Sequence, residues 1–384
     1  MNTRALELKA RGVDVFAFGV GEPDFEPPKV VLDAAKRAID EGCSKYTAVT
    51  GIPKLKEAIC EATDRMRGWH PKPENVCVSV GAKHVLFNLA VALYDPGDEV
   101  VIPKPFWVSY PEQVRLVGAT PVLVDTREED GWKLSPARLE AALSPRTKAV
   151  VLCSPSNPTG AAYTEKETAA LVDVIRRHDC WLIVDEIYAE LMYDSLQFVS
   201  AAKLAPDLRD RIVVVDGVSK TFAMTGWRIG WALGPAPLVK ALDTVQGQST
   251  TNATAVAQHA AVAALRSPME DFARIRSMFQ KRRDAMVTGL SSIPGVRCRT
   301  PEGAFYAFAD CRGLYGLEWN AKALANDEDI AFWLLDRAHV AAVPGGPFGA
   351  PGYVRFSYAA SEERITAGVA AIRAAVDEAK RIAR

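Results

Sequence analysis

The segment AVVLC at residues 149–153 decides the fold class, because five consecutive apolar or small residues leave no polar face along the run. Such a run is typical of a strand that is covered on both faces, as in a parallel sheet. A helical pattern over 164–178 and a second apolar run, WLIV at 181–184, follow it. Strand, helix and strand in this order predict a parallel unit of an α/β protein.

Further apolar runs on either side extend this unit into a larger sheet. They lie at residues 76–80, 99–102, 121–124 and 212–215. Helical patterns, such as those over 83–93 and 108–117, alternate with them. We therefore expect an α/β large domain over residues 40–290, with a mostly parallel sheet sandwiched by helices.

The C-terminal hundred residues have a different pattern. Short strands are predicted over 304–308, 339–343 and 353–357, with flanking helices over 327–337 and 361–382. This mixture predicts a smaller α+β domain. The first thirty residues are too few to fold alone, so we expect the small domain to comprise residues 1–30 plus 291–384.

Composition excludes several classes of protein. The chain has 384 residues, 49% of them hydrophobic and 24% charged, which excludes a disordered chain. The formal net charge of −1 gives no field that would attract nucleic acid or an anionic membrane surface. No apolar run reaches the length of a membrane span, and the N-terminus lacks the apolar core of a secretion signal. We expect a cytoplasmic protein without nucleic-acid or membrane partners.

Cysteine and histidine spacing argues against a metal site. The seven cysteines are scattered without a C-x-x-C pair, and the five histidines form no H-x-x-x-H pattern. Neither a disulfide framework nor a zinc site is expected, so no metal ligands are predicted.

The most informative motif lies directly after the apolar run at 212–215. Ser219-Lys220 precedes Gly226-Trp227-Arg228, so that a lysine among small and aromatic residues is followed by an arginine. A desolvated lysine can act as a neutral amine and form a Schiff base, while an arginine can clamp a phosphate. No glycine stands where a P-loop requires one before Ser219-Lys220-Thr221, which excludes that motif.

Two further polar clusters follow neighbouring predicted strands. Asp185 and Tyr188 come after the run at 181–184, and Asn157 comes after the run at 149–153. Each cluster alone is compatible with a helix cap or a plain turn. Because ligands of open α/β sheets bind at the carboxyl ends of the strands, three clusters at that edge together predict a site.

These residues resemble the class I/II aminotransferases, which are pyridoxal-phosphate enzymes of fold type I. The motifs are Ser219-Lys220 with Gly226-x-Arg228, Asp185-x-x-Tyr188, Asn157-Pro158-x-Gly160 and the late Arg355. Gly21-Glu22-Pro23-Asp24-Phe25, Lys45-Tyr46, Gly81-Ala82-Lys83 and Phe106–Pro111 narrow the resemblance to the bacterial and thermophile-type aspartate aminotransferases, several of which also use prephenate. The resemblance implies seven strands in the large sheet and a homodimer with shared active sites.

The resemblance assigns a role at the pyridoxal 5′-phosphate cofactor to each matched residue. Lys220 would hold the cofactor as a Schiff base and then move the α-proton. Asp185 would pair with the ring nitrogen, Tyr188 and Asn157 would bind the ring 3-oxygen, and Trp107 would stack on the ring. The phosphate would be held by Gly81, Ala82, Lys83, Ser219 and Arg228, and by Tyr46 of the neighbouring subunit.

The resemblance also predicts the substrate contacts. Arg355 would bind the α-carboxylate, and Gly21, Trp107 and Asn157 would lie against the substrate. Lys83 has two candidate roles, because it could neutralise the phosphate or bind a distal carboxylate. The N-terminal arm that covers the site in the family has no counterpart before Met1, so we expect either that the given start is misplaced or truncated or that the site is more open.

The leading hypothesis is an aminotransferase that moves an amino group between a dicarboxylic amino acid and a 2-oxo acid such as 2-oxoglutarate, by a ping-pong mechanism. Aspartate, glutamate, prephenate and aromatic amino acids are not ranked by the sequence. The alternatives are a pyridoxal-phosphate β-lyase and an aromatic amino acid aminotransferase. A transcription regulator with such a domain would need a basic DNA-binding module, for which the chain has no room.

Overall fold

The computed structural model describes residues 2–380. The strands are β1 Phe16–Ala17, β2 Val76–Ser79, β3 Glu99–Lys104, β4 Thr120–Asp125, β5 Thr147–Cys153, β6 Trp181–Asp185, β7 Ile212–Gly217, β8 Gly230–Leu233, β9 Arg297–Cys298, β10 Tyr306–Asp310, β11 Glu318–Trp319, β12 Lys322–Ala323, β13 Val340–Ala341, β14 Val343–Pro344 and β15 Tyr353–Ser357. The α-helices are α1 Asn2–Ala10, α2 Lys29–Asp40, α3 Pro53–Arg67, α4 Ala82–Leu93, α5 Ser109–Leu116, α6 Pro136–Ala142, α7 Glu165–Arg176, α8 Ala201–Leu204, α9 Ala236–Gly247, α10 Ala255–Leu265, α11 Met269–Ser291, α12 Asp327–Ala338 and α13 Glu362–Glu378. Within this described part, none of the helices combines the length and apolarity needed to cross a membrane.

The large sheet has seven strands in the order β2-β8-β7-β6-β5-β3-β4. Every neighbouring pair is parallel except the two that involve β8, which runs antiparallel to β7 and to β2. The six apolar runs of the large domain are all strands of this sheet, which confirms the predicted fold class. The seventh strand, β8, is short and begins with a glycine, so no apolar run marked it.

Helices cover both faces of this sheet, as the apolar strands require. In β5, Val150 and Leu152 belong to one core cluster, while Ala149 and Val151 belong to another. The first cluster includes apolar residues of α3, α7 and α10, and the second includes those of α4, α5 and α9. Because successive side chains of a strand point to opposite faces, each strand contributes to both cores.

The second sheet is antiparallel, in the order β14-β15-β10-β9, and α11, α12 and α13 pack with it around one apolar cluster. The strand predicted over 304–308 begins at Tyr306, because Ala304 has a left-handed φ of 60°. The strand predicted over 339–343 is two short strands, since β13 pairs with β1 and β14 pairs with β15. The helix predicted over 361–382 ends at Glu378, and residues 381–382 lie outside the described residues.

The predicted division places the large sheet and the smaller sheet in separate domains. The predicted boundary at residues 290 and 291 falls at the end of α11. Phe279 and Leu290 of α11 lie in the same apolar cluster as Trp333 and Phe356 of the smaller sheet region. The division into 40–290 and 1–30 plus 291–384 stays a prediction, and residues 1 and 381–384 lie outside the described residues.

Candidate active site

The parallel register brings the predicted polar clusters to one edge of the large sheet. Cys153 is level with Asp185, and Asp185 is level with Val215, so β5, β6 and β7 end side by side. Because β8 is antiparallel, its first residue, Gly230, lies at this same edge opposite Gly217. The chain after β7 therefore leaves the edge with Lys220 and returns to it just after Arg228.

A cleft of 520 Å³ opens at this edge. The predicted site residues that line it are Gly21, Ala82, Lys83, Trp107, Asn157, Asp185, Tyr188, Ser219, Lys220, Arg228 and Arg355. Tyr46 does not line the cleft of its own chain, and 89% of its surface is exposed. Of the predicted residues, only Tyr46 lies away from the cleft, since Gly81 adjoins it through Arg228.

Gly81 is needed where α4 begins beside the cleft. Its φ of 82° is in the left-handed region, and a Cβ there would lie 2.5 Å from Nη2 of Arg228. The first amide N–H groups of α4 have no helical acceptors. Together with the Ser219 hydroxyl and the Arg228 guanidinium, they form a donor set that suits a phosphate at a positive helix end.

Lys220 carries the amine of the cleft. Its Nζ donates a hydrogen bond to the Gly21 carbonyl oxygen at 2.6 Å. Burial lowers the pKa of Lys220 to about 8, although the nearby Glu22 carboxylate opposes this shift. A substantial fraction of the amine is therefore neutral near that pH, and a neutral amine is the nucleophilic and basic form.

Asp185 is the buried carboxylate of the site. Its Oδ2 accepts a hydrogen bond from the Tyr110 hydroxyl at 2.7 Å, and its Oδ1 accepts one from the Ile187 amide at 3.2 Å. Desolvation raises the pKa of Asp185 to about 6, although both hydrogen bonds lower it. Ion pairs among residues 2–380 do not include this carboxylate, so it is suited to a cationic partner from a ligand.

Arg355 forms the opposite wall of the cleft. Its Nη1 donates to Asn157 Oδ1 at 2.8 Å, and its Nη2 donates to the Gly19 carbonyl at 2.9 Å. The guanidinium lies 4.4 Å from the ring centroid of Tyr306. Its Nε is buried without a hydrogen-bond partner. An oriented arginine with an unused donor is suited to bind a carboxylate.

The remaining predicted residues lie around these groups. The Tyr188 and Tyr306 hydroxyls are hydrogen-bonded at 2.8 Å, and burial keeps the pKa of Tyr188 well above its ordinary value. The Lys83 ammonium lies 4.9 Å from the centroid of the Trp107 ring. A side-chain cation and a flat aromatic surface thus share one side of the cleft.

Sequence reasoning missed two aromatic residues of the cleft, Tyr110 and Tyr306. Tyr306 explains the need for glycine at position 21, because a Cβ there would lie 2.7 Å from the Tyr306 hydroxyl. Tyr110 was part of a recognised motif but had no assigned role. No sequence signal indicates which hydroxyl reaches Asp185, because that depends on how α5 packs against the sheet.

Comparison with known proteins identifies the family. Residues 13–372 match the family described as aminotransferase class I and II. The chain belongs to this family. The aspartate/prephenate aminotransferase of Cereibacter sphaeroides is 48% identical over 376 residues, which cover 97% of this chain and 94% of the relative. The aspartate aminotransferase of Geobacillus stearothermophilus is 46% identical, covering 95% and 92%.

Solved structures agree with the family and the fold type. The aspartate aminotransferase of Rhizobium meliloti has a TM-score of 0.94 at 44% identity, covering 99% of this aminotransferase and 95% of that chain. The aspartate aminotransferase of Thermus thermophilus with maleate has a TM-score of 0.90 at 41% identity, covering 97% and 95%. The protein is thus an aminotransferase with the fold type I architecture.

Proposed function

We propose that this aminotransferase uses pyridoxal 5′-phosphate to move an amino group between aspartate or glutamate and a 2-oxo acid such as 2-oxoglutarate. The observation that carries the proposal is that one cleft is lined both by Lys220, a buried amine of lowered pKa, and by Asp185, a buried carboxylate that forms no ion pair among the described residues. A cofactor with an aldehyde and a basic ring nitrogen is complementary to both groups.

The donors and rings around the cleft fit this cofactor. The α4 N-terminus, Ser219 and Arg228 would hold its phosphate, and Trp107 would lie on its ring. Asp185 would bind the ring nitrogen, while Asn157 and Tyr188 would bind the ring 3-oxygen. Gly81 supports this assignment, because any side chain there would displace the Arg228 guanidinium.

When bound, pyridoxal phosphate accepts the substrate's amino group and withdraws electrons from its α-carbon. Lys220 would hold the cofactor covalently until the substrate's amino group displaces it, and its freed Nζ would then move the proton away from the α-carbon. Asp185 keeps a proton on the ring nitrogen, because its ionised form favours a cation beside it. Arg355 orients the substrate by binding its α-carboxylate with two donors.

A dicarboxylic substrate needs a second cation, and Lys83 supplies one beside Trp107. The maleate in the Thermus thermophilus structure is a dicarboxylate, which supports this substrate class here. The name of the Cereibacter sphaeroides relative favours prephenate as a second amino acceptor. We assign the distal carboxylate to Lys83, since Ser219 and Arg228 already serve the phosphate.

The proposal includes a cytoplasmic homodimer, in which Tyr46 completes the partner's site. Its high exposure and its distance from the cleft of its own chain support this role. In hybrids of a Tyr46→Phe subunit with a Lys220→Ala subunit, one site carries both defects and the other carries neither. We expect such hybrids to recover activity that neither parent has alone, whereas an active monomer in sedimentation would contradict the shared site.

Half-reactions of the purified protein test the proposed function. The protein loaded with pyridoxal phosphate is mixed with aspartate, glutamate, phenylalanine or an S-substituted cysteine, and the cofactor absorbance and the products are followed. We expect aspartate and glutamate to react fastest, to yield 2-oxo acids and to release no ammonia. Addition of 2-oxoglutarate or prephenate should then restore the original absorbance.

Each alternative predicts a different result. A β-lyase would release ammonia and pyruvate from the cysteine derivative. An aromatic aminotransferase would react faster with phenylalanine than with aspartate. Lys220→Ala is the control, because it should bind the cofactor without the covalent link and give none of these products.

A further inference from the structure

Tyr110 lies in the first turn of α5 and is a buried residue of the cleft wall. Its hydroxyl donates to Asp185 Oδ2 at 2.7 Å, and this is the only side-chain hydrogen bond to Asp185 within residues 2–380. The Ile187 amide donates a hydrogen bond to the other carboxylate oxygen. The two oxygens of Asp185 are thus held by one side-chain donor and one backbone donor, both of them neutral.

We propose that Tyr110 is a positioning residue of this aminotransferase, whose hydroxyl holds Asp185 ionised and oriented toward the ring nitrogen of the cofactor. This inference rests on the proposed function, because Asp185 must face that ring. A hydrogen bond to the charged form of a carboxylate favours that form. Loss of the donor would make Asp185 a stronger base, so that the shared proton would move from the ring nitrogen to the carboxylate.

The surroundings of Tyr110 fix its hydroxyl at this place. Its ring meets the Trp107 ring edge-on, with centroids 5.4 Å apart at 82°. Its backbone amide donates to the Trp107 carbonyl at 3.0 Å. Tyr110 therefore links the aromatic wall of the cleft to the carboxylate beneath it, and a shift of one would displace the other.

The phenol also stays protonated at the pH where the enzyme would work. Desolvation and the neighbouring Asp185 charge raise the pKa of Tyr110 well above its ordinary value. Burial likewise raises the pKa of the adjacent Cys153 thiol, so it remains neutral. Tyr110 is accordingly a permanent donor to Asp185 rather than a group that exchanges protons with it.

The test compares Tyr110→Phe with the wild type and with Tyr94→Phe. Tyr94 is a buried tyrosine of the same core cluster that makes no hydrogen bond to Asp185 in the described structure. Each protein is loaded with pyridoxal phosphate labelled with ¹⁵N in the ring, and the nitrogen chemical shift is measured together with kcat and KM. The shift reports directly whether the ring nitrogen carries a proton.

We expect Tyr110→Phe to move the nitrogen shift toward the unprotonated value and to lower kcat by about ten- to a hundredfold. KM for aspartate should change much less, and Tyr94→Phe should match the wild type. 3-Fluorotyrosine at position 110 keeps the packing and donates more strongly, so it should move the shift in the opposite direction from Tyr110→Phe. If Tyr110→Phe fails to fold, the fluorotyrosine variant alone tests whether the Tyr110 hydroxyl controls the protonation of the ring nitrogen.

An unchanged nitrogen shift in both variants at position 110, with near-native kcat, would overturn the inference and leave the proposed function standing. A wild-type protein that binds no pyridoxal phosphate would overturn both. The two failures are therefore distinguishable in one series of samples.

Discussion

Asp185 and Glu186 are adjacent at the end of β6, and both are buried, but they have opposite environments. Glu186 Oε2 is paired with Nε of Arg67 at 3.3 Å, and its Oε1 accepts from the Ser200 hydroxyl at 2.7 Å. Asp185 has neutral donors and no ion pair among the described residues. The side chains alternate across the strand end, so one faces the cleft and the other faces the packed side.

The difference shows how a buried carboxylate can be structural or functional. Arg67 also pairs with Glu190 and with Asp216, so that one buried guanidinium joins the chain segment after β6 to the end of β7. A buried charge is costly unless it is paired, and the arginine meets that need inside the protein. Asp185 lacks such a partner and is therefore suited to a cation that arrives with a ligand.

The largest expected effect is that of removing the amine of the site. Lys220→Ala should lower the rate of amino transfer by at least about ten-thousandfold, because in the proposed function the same group binds the cofactor and moves the proton. The rate constants for aspartate in single-turnover experiments measure this. Borohydride reduction and peptide mapping should label Lys220, and Lys104→Ala is the matched control. A label on Lys83 or Lys104 would contradict the assignment.

The next largest effect should be on stability, when Arg67 is removed from the buried cluster that it forms with Glu186, Glu190 and Asp216. Arg67→Met removes the cation shared by Glu186, Glu190 and Asp216, of which Glu190 keeps a second partner in Arg276 at 3.7 Å, so the free energy of unfolding should fall by about 3–5 kcal/mol. Arg65→Met, on the same helix, removes a hydrogen bond to the Leu265 carbonyl and should cost about 1 kcal/mol. Urea denaturation of the cofactor-free proteins provides both values.

Burial raises the pKa of Asp216 to about 7, which makes it the natural site for a rescue variant. Adding Asp216→Asn to Arg67→Met should recover part of the lost stability. Equal losses for Arg67→Met and Arg65→Met would show that the cluster contributes no more than an ordinary hydrogen bond.

Removing the charge of Asp185, the proposed partner of the cofactor ring, should instead affect turnover. Asp185→Asn should lower kcat by about a hundred- to a thousandfold with a smaller change in KM, because the effect falls on charge that develops during the reaction. Glu186→Gln should retain most of the turnover and lose stability. Single-turnover rates with aspartate test both variants, and a near-native rate for Asp185→Asn would contradict the distinction between the two neighbours.

The pH dependence of stability should isolate the contribution of Asp185 when the wild type is compared with Asp185→Asn. Its pKa is about 6 in the fold and 3.8 in the ordinary state. Because the folded pKa is the higher one, the contribution of this group is fully present below about pH 4 and is lost as the pH rises through 6. The wild-type protein without cofactor should thus lose up to about 3 kcal/mol relative to Asp185→Asn across this range. If the free energies of unfolding of the wild type and of Asp185→Asn change in parallel with pH, this prediction is wrong.

The smallest expected effect concerns substrate choice at the mouth of the cleft. Lys83→Ala should weaken the reaction with aspartate and glutamate by about ten- to a hundredfold, the value of one charge-assisted hydrogen bond, and leave aromatic donors unchanged. Half-reaction rates with aspartate and with phenylalanine give the preference for the acidic donor. Lys83→Arg should keep part of that preference. Equal losses for all donors would assign Lys83 to the phosphate instead.

Sequence alone determined the class of the fold and the segments of the candidate site. Runs such as AVVLC have no polar face, so they fold only where both faces are covered, and this requirement fixed the parallel sheet. The polar clusters after β5, β6 and β7 then had to meet at one edge. Lys220, Asp185 and Asn157 could be selected from this logic together with the family motifs.

Tertiary structure decided what the sequence pattern does not encode. The antiparallel course of β8 returns Arg228 to the edge that Lys220 leaves. The packing of α5 brings the Tyr110 hydroxyl to Asp185, and the position of Arg67 separates Glu186 from its neighbour. These contacts join residues far apart in the chain, so their partners follow from packing and burial rather than from local periodicity, which carries information over only a few residues.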